Sequence, residues 1–152
     1  FIFLLLIVIV FYGCKKDEPV GNTDIYSFDI KVDYNEWEPF SGDRYSGWFV
    51  TRYIPEITEE IITSGVVMVY VKYEDYFIAL PYTQIFEDIS MTDYFSFSLR
   101  KMYLGVKYNY EIVYNGELPT IEYRVVLFKS VNSVGPDITD YNAVMDYYKL
   151  ID

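Results

Sequence analysis

Residues 25–34 read Ile-Tyr-Ser-Phe-Asp-Ile-Lys-Val-Asp-Tyr, and this stretch indicates the fold class of the chain. From Tyr26 onward every second side chain is apolar, and the residues between them are Ser, Asp and Lys. Successive side chains of a β-strand point to opposite faces of its sheet. The alternation therefore predicts a strand that buries one face and exposes the other.

Similar patterns recur along most of the chain. Six further segments carry alternating or continuous apolar residues: Tyr45–Ile54, Val66–Tyr73, Tyr76–Tyr82, Phe95–Arg100, Val106–Ile112 and Ile121–Leu127. The segment Val66–Tyr73 is apolar on both faces, which predicts a central position in its sheet. About seven short strands of this kind predict an all-β fold, an antiparallel two-sheet sandwich of the immunoglobulin-like or jelly-roll-like type.

Two short segments have helical rather than strand signals. Thr58–Gly65 begins with a capping Thr, continues with two Glu and ends with Gly, which predicts an inserted helix that plugs one end of the sandwich. Near the carboxyl end, Thr139 or Asp140 is the predicted cap of a helix that runs to about Leu150. Its apolar residues recur at helical spacing and form one stripe: Tyr141, Val144, Met145 and Tyr148. We expect this stripe to cover a sheet edge or an open end of the sandwich.

The composition limits the class of protein. The chain has 152 residues, enough for one domain, and 52% of them are hydrophobic, which excludes disorder over most of its length. A net charge of −11 argues against a nucleic-acid partner, because the phosphate backbone would be repelled. The sequence contains no His and a single Cys, which excludes Ser-His-Asp and Cys-His triads, histidine metal sites and an intramolecular disulfide. We expect no cofactor and no resident metal.

The amino-terminal residues predict a lipid anchor. Residues 1–12 are apolar and uncharged, a length that fits the hydrophobic region of a signal peptide and is too short to span a bilayer. The stretch Phe11–Cys14 resembles a bacterial lipobox, in which a small residue precedes a Cys that becomes the lipidated terminus. Gly13 and Cys14 match this pattern, whereas Phe11 and Tyr12 are bulkier than the usual residues. The alternative is a buried Cys at the end of a transmembrane anchor whose first residues are missing.

These features divide the chain into three predicted segments. They are an N-terminally incomplete signal peptide at 1–13, the lipidated Cys14 with its tether at 14–24, and a single sandwich domain at 25–152. Acyl chains on Cys14, palmitate among them, would anchor the protein stably in a membrane, because more than one chain is buried. The following Lys15–Glu18 resembles the charged export tags of Bacteroidota surface lipoproteins. This implies a lipid-anchored outer-membrane protein exposed at the cell surface.

A further resemblance covers residues 54–151. The motifs that carry it are, in order, Ile54–Gly65, Val66–Tyr70, Leu80–Thr83, Tyr123–Leu127, Asp140–Val144 and Tyr147–Tyr148. Their order resembles a family of secreted Bacteroidota domains of uncharacterised function, some of which end collagen-like proteins while others follow a lipoprotein signal. This chain has no Gly-x-y repeat, and it carries Lys129-Ser130 where members often have Pro-Gly. The resemblance implies an extracellular sandwich domain, and it identifies no catalytic residue.

Aromatic residues give the main candidate for a binding site. Trp37, Tyr45 and Trp48 lie within twelve positions, in or beside a loop that contains Pro and Gly. Loops lie at the surface, so these rings are candidates to stack on a sugar or on another surface protein. The neighbouring Glu36, Glu38 and Asp43 would accept hydrogen bonds, and the acidic net charge favours a neutral polysaccharide. The alternative interpretation places both Trp rings in the core.

Acidic residues give two other candidates. A carboxylate-dependent glycan hydrolase needs two carboxyl groups at a defined separation. Candidates for such a pair lie in predicted loops, for example Glu74 with Asp75 and Glu87 with Asp88. Asp137 and Asp140 are oxygen ligands of the kind that calcium takes, although a helix cap explains them more simply. The sequence thus favours a non-enzymatic binding or structural module at the cell surface, with a glycan hydrolase as the alternative.

Overall fold

A computed structural model of the chain describes residues 25–42, 44–87, 89–109, 118–130 and 135–150. In these ranges the strands are β1 (Ile25–Val32), β2 (Glu38–Ser41), β3 (Ser46–Tyr53), β4 (Val66–Tyr73), β5 (Tyr76–Ala79), β6 (Tyr82–Phe86), β7 (Ile89–Ser98), β8 (Lys101–Tyr108) and β9 (Ile121–Phe128). The α-helices are α1 (Glu59–Ser64) and α2 (Tyr141–Tyr148), and a single 3-10 turn lies at Tyr34–Glu36. Cys14 and the rest of 1–24 lie outside the described residues.

The strands form two antiparallel sheets, which confirms the predicted β-sandwich. One sheet has four strands in the order β1-β9-β4-β5, and the other has five in the order β2-β3-β8-β7-β6. The predicted central position of Val66–Tyr73 is correct, because β4 lies between β9 and β5.

The core lies between the two sheets and follows from the alternation along each strand. Val69 and Val125 are fully buried on the inner face of the four-stranded sheet, and they are neighbours in the β4–β9 register. Met102 and Leu104 of β8 are fully buried on the inner face of the five-stranded sheet. All four side chains belong to one apolar cluster that joins the sheets.

Helix α1 seals this core from one side. The Thr58 hydroxyl accepts a hydrogen bond from the Ile61 N–H at 3.4 Å, so the predicted cap is present. The Ile61 side chain is 1% exposed and packs in the core cluster. At the other end, a Cβ on Gly65 would lie 2.3 Å from the Phe128 carbonyl oxygen, so only glycine allows this close approach.

Helix α2 lies on the outer face of the four-stranded sheet, which corrects the expectation that it covers an edge or an open end. Its Val144 and Met145 are buried in a second apolar cluster. The cluster members on the sheet side are the outward-facing residues of β4 and β9: Met68, Tyr70, Val126 and Phe128. Residues 66–71 of β4 and 125–128 of β9 are apolar on both faces, because one face meets the core and the other meets α2.

Three strand predictions differ from the structure. The segment Tyr76–Tyr82 is two strands, β5 and β6, which belong to different sheets and are separated by Leu80-Pro81, joined by a cis peptide bond. Strands β7 and β8 begin earlier than predicted, and they meet at a tight hairpin in which Arg100 has a φ of 59°. Strand β2 was not predicted.

The predicted strand Val106–Ile112 overlaps β8 only at residues 106–108. Its residues 110–112 lie outside the described residues.

Candidate functional site

The three aromatic residues predicted to bind a ligand do not share one exposed surface. Trp37 is 8% exposed and packs in the core cluster. Trp48 is half-buried and lies on the inner face of β3, where its ring meets the edge of Tyr108 with centroids 5.9 Å apart. Only Tyr45 is exposed, at 50%. The structure therefore places the two Trp side chains inward, as the alternative interpretation had it, and leaves Tyr45 as the accessible member.

The acids near this segment have structural contacts or lie outside the described residues. Glu36 forms a 2.8 Å ion pair with Arg52 and accepts a 2.8 Å hydrogen bond from the Asp33 N–H. The hydrogen bond from Asp33, followed by the Arg52 charge, lowers the pKa of Glu36. Glu38 lies on edge strand β2, and Asp43 is outside the described residues.

The accessible aromatic surface is the outer face of the five-stranded sheet. Side chains on this face alternate with the core residues of β2, β3, β7 and β8. Its rings, called the aromatic face below, are Phe40, Tyr45, Phe49, Tyr53, Tyr94 and Tyr103. Tyr45 and Tyr53 are exposed, and the other four rings are half-buried. The sequence analysis missed this face because it selected residues by type, the two Trp in particular. It did not ask which alternate positions of each strand face outward.

Contacts between neighbouring rings connect one side of the aromatic face. The Phe40 ring lies 6.2 Å from Phe49 and 6.2 Å from Tyr45, edge-on to the latter. The Lys107 Nζ lies 5.9 Å from the Tyr45 ring centroid and 5.5 Å from that of Tyr94. Burial, and then the neighbouring Tyr45, raises the pKa of Tyr94. Lys107 thus joins the Phe40–Tyr45 side of the face to Tyr94.

A glycine shapes the centre of the face. Gly105 lies opposite Tyr94 in the β7–β8 register. A Cβ at Gly105 would lie 2.5 Å from the Tyr94 ring, so the ring lies directly against the backbone of β8. Because Gly105 has no side chain, the Tyr94 ring lies low on the sheet surface.

The outer face of the other sheet offers a groove in which most of the charges are paired. Asp29, Lys31, Lys72, Glu122 and Arg124 line a cavity of about 260 Å³ there. Lys72 pairs with Glu122 at 2.9 Å, and Arg124 pairs with Asp29. An added ligand would have to compete with these internal partners, so the groove is a weaker candidate than the aromatic face.

Asp137 and Asp140, the candidates for a calcium site, form local hydrogen bonds, and Asp140 is the predicted helix cap. The Asp140 carboxylate accepts a 3.1 Å hydrogen bond from the Ala143 N–H and caps α2. Asp137 accepts hydrogen bonds from both the hydroxyl and the backbone N–H of Thr139, and these lower the pKa of Asp137. Across the ranges that the structure describes, no group of three or more His, Cys, Asp or Glu residues is placed to hold a metal ion.

One buried acid was missed by the sequence analysis. Asp93 of β7 is 1% exposed, and it accepts a 2.7 Å hydrogen bond from the Tyr73 hydroxyl. Burial raises the pKa of Asp93 against the opposing effect of that hydrogen bond. Extending the alternation of Phe95 and Phe97 backwards by one step would have placed Asp93 on the inner face. With its carboxylate enclosed, this residue is part of the core and not of an accessible site.

Comparisons with protein-family models, curated proteins and solved structures give no match to this chain. Among the residues that the structure describes, no helix has the length and apolarity needed to cross a bilayer.

Proposed function

We propose that this protein is a cell-surface lipoprotein whose sandwich domain is a non-enzymatic binding module for polysaccharide. The observation that carries the proposal is the aromatic face, a sheet surface with several accessible rings. Soluble monomers rarely leave large contiguous apolar surfaces open to water, and such surfaces commonly mark binding sites. On the four-stranded sheet the apolar part of the outer face is buried under α2, and charged residues line the groove on the remainder.

Sugars suit this surface for a chemical reason. A pyranose ring has a face of C–H groups and a rim of hydroxyls, so it packs flat on an aromatic ring while its rim forms hydrogen bonds. The same outer face carries small hydroxyl residues beside the rings. Thr83 and Thr92 lie there with their hydroxyls 2.9 Å apart, and Thr51 and Ser96 are exposed on β3 and β7. These groups are suitable donors and acceptors for the rim of a bound sugar.

Rigid rings also favour binding energetically. The Tyr94 ring is held against Gly105, and Phe40 is held between Phe49 and Tyr45. Side chains that are already fixed lose little conformational entropy when a ligand docks on them. The strands beneath the rings pair continuously from β3 through β8 to β7, which gives the surface a rigid support.

The lipid anchor and the surface location are proposed on the sequence alone. The Gly13-Cys14 pair and the charged residues after it support lipidation at Cys14. Residues 15–24 separate that Cys from the first residue of β1. A tether of this length, fully extended, spans at most about 40 Å. The module would therefore work within a few nanometres of the membrane, on polysaccharide that reaches or surrounds the cell.

The experiment compares binding and stability of matched tyrosine variants. The domain from residue 25 onward and its variants Tyr45→Ala and Tyr94→Ala are applied to an array of neutral and acidic polysaccharides. Tyr76→Ala is the control, because this residue is 56% exposed but lies on β5 of the other sheet. We expect the Tyr45 and Tyr94 variants to lose about tenfold or more in affinity for the polymers that the domain binds, as truncated aromatic anchors do.

The control should bind like the unmodified domain, and the variants of the exposed Tyr45 and Tyr76 should melt close to it. Absence of binding to every polymer would refute the proposed function. Equal binding by all three variants would refute the assignment to the aromatic face.

A further inference from the structure

We infer that the polysaccharide is a carboxylated one, built from uronate-type sugars, and that Lys107 pairs with the carboxylate. This inference rests on the proposed function and narrows its ligand class. The aromatic face would bind the ring of the sugar, and the Lys107 ammonium would form an ion pair with the carboxylate on that ring.

The position of Lys107 carries the first part of the argument. It is an exposed residue of β8, on the same face as Gly105 two positions before it. Its ammonium group lies within 6 Å of the ring centroids of both Tyr45 and Tyr94. The C6 carboxylate of a uronate projects from the edge of the pyranose ring. A sugar that packs beside these two rings can therefore direct its carboxylate to this one ammonium group.

The second part of the argument is that Lys107 has no carboxylate partner in the described residues. Four cations of the described residues form ion pairs, among them Lys72 with Glu122 and Arg52 with Glu36. Lys107 forms no salt bridge within the described ranges, and its neighbours there are aromatic rings. An ammonium without a carboxylate partner among the described residues, beside flat apolar rings, is a suitable receptor for an anionic sugar.

The local charge of the face differs from that of the whole protein. The chain has a net charge of −11. The charged strand residues on this outer face are Lys101, Lys107 and Glu38, two positive and one negative, which gives +1. At physiological ionic strength charges more than about 8 Å apart are largely screened, so the acids elsewhere weaken a direct ion pair only slightly. The net charge alone favours a neutral polymer, and this arrangement changes that expectation.

A carboxylate fits better than a sulfate or phosphate polymer. Lysine offers a single point charge, whereas densely charged sulfate groups are commonly held by several Arg and Lys side chains. One carboxylate per sugar matches one accessible ammonium between two rings.

The test compares acidic polymers with their neutral counterparts. Polygalacturonate and alginate, each beside its carboxyl-reduced form, are titrated into the domain in 0.15 M salt. The variants are Lys107→Met, which keeps the apolar stem, and Lys31→Met, which removes the same charge from β1 of the other sheet. We expect at least one acidic polymer to bind about tenfold or more tightly than its reduced form, and Lys107→Met to abolish that difference while Lys31→Met keeps it.

Two results would overturn the inference in different ways. Equal binding of the acidic and reduced polymers, unaffected by Lys107→Met, would leave the polysaccharide module intact and remove the carboxylate preference. Binding to neutral polymers on the array, with none to either acidic polymer, would also refute the inference and not the proposed function. Absence of binding to every polymer would refute both.

Discussion

Replacing Met145 with Ala tests whether α2 is an integral layer of the domain. Met145 is 1% exposed and lies against the outer face of β4 and β9. A helix of eight residues is not stable alone in water, so packing must hold it in place. Truncating a buried Met to Ala costs about 2–5 kcal/mol, a large share of the ~5–15 kcal/mol that stabilises a domain. We therefore expect a strongly destabilised but folded protein.

Urea unfolding gives the measurement, with Trp37 as the fluorescent reporter inside the core. With a slope of about 2 kcal/mol per molar urea, the midpoint should fall by roughly 1–2.5 M. If the shortened side chain releases α2 before the rest unfolds, the slope should also decrease, because less surface remains to be exposed in the main transition.

Asn142→Ala is the matched control for this experiment. Asn142 is exposed on the same helix, and such surface changes usually alter stability by less than about 0.5 kcal/mol. A Met145→Ala midpoint equal to that of Asn142→Ala would refute the view that α2 is a required layer. It would show instead that the outer face of the four-stranded sheet tolerates exposure to water.

Two further predictions concern the buried acid and the proposed anchor. The pKa of Asp93 is raised by burial, so the folded state holds this proton to higher pH than the unfolded state, whose carboxyl titrates near pH 3.9. Stability should therefore fall as the pH rises from about 4 through the raised pKa of Asp93, and Asp93→Asn should flatten that slope in urea titrations across pH 3.5–7; an unchanged slope would assign it to other groups. In a bacterial host that lipidates surface proteins, the precursor should enter the detergent phase with acyl chains attached, and Cys14→Ala should abolish this; equal membrane retention of the variant would contradict lipidation at that residue.

The sequence contained the information for α2 in two separate places. Val66–Tyr73 is apolar on both faces, and only one face of it can meet the core between two sheets. The stripe of Val144 and Met145 also needs an apolar surface to pack on. Considered together, these two apolar surfaces predict a helix that lies on the face of the sheet. Considered separately, they predicted only a central strand and a helix that covers a sheet edge or an open end.

Other features could not be predicted because their local signals are missing or ambiguous. The β7–β8 hairpin turns at Leu99-Arg100, where Arg100 adopts the left-handed conformation that Gly or Asn would normally indicate. Residue type also misled the search for a site, since Trp is a common binding residue. In β3, Trp48 and Val50 share the inner face, whereas Phe49 and Tyr53 share the outer one. The position of a residue in the alternation along its strand, not its type, decides whether its ring is accessible.

The charge on the aromatic face distinguishes a ligand from a second copy of the same chain. A symmetric contact through this face would bring together two copies of Lys107 and Lys101 with only two copies of Glu38, which leaves an excess of positive charge in the interface. Burying an ammonium group without a counter-charge is strongly unfavourable. A carboxylated sugar supplies the missing charge and covers the rings at the same time. The lysine that discourages self-association through this face is thus the group that we propose makes it selective for an anionic polysaccharide.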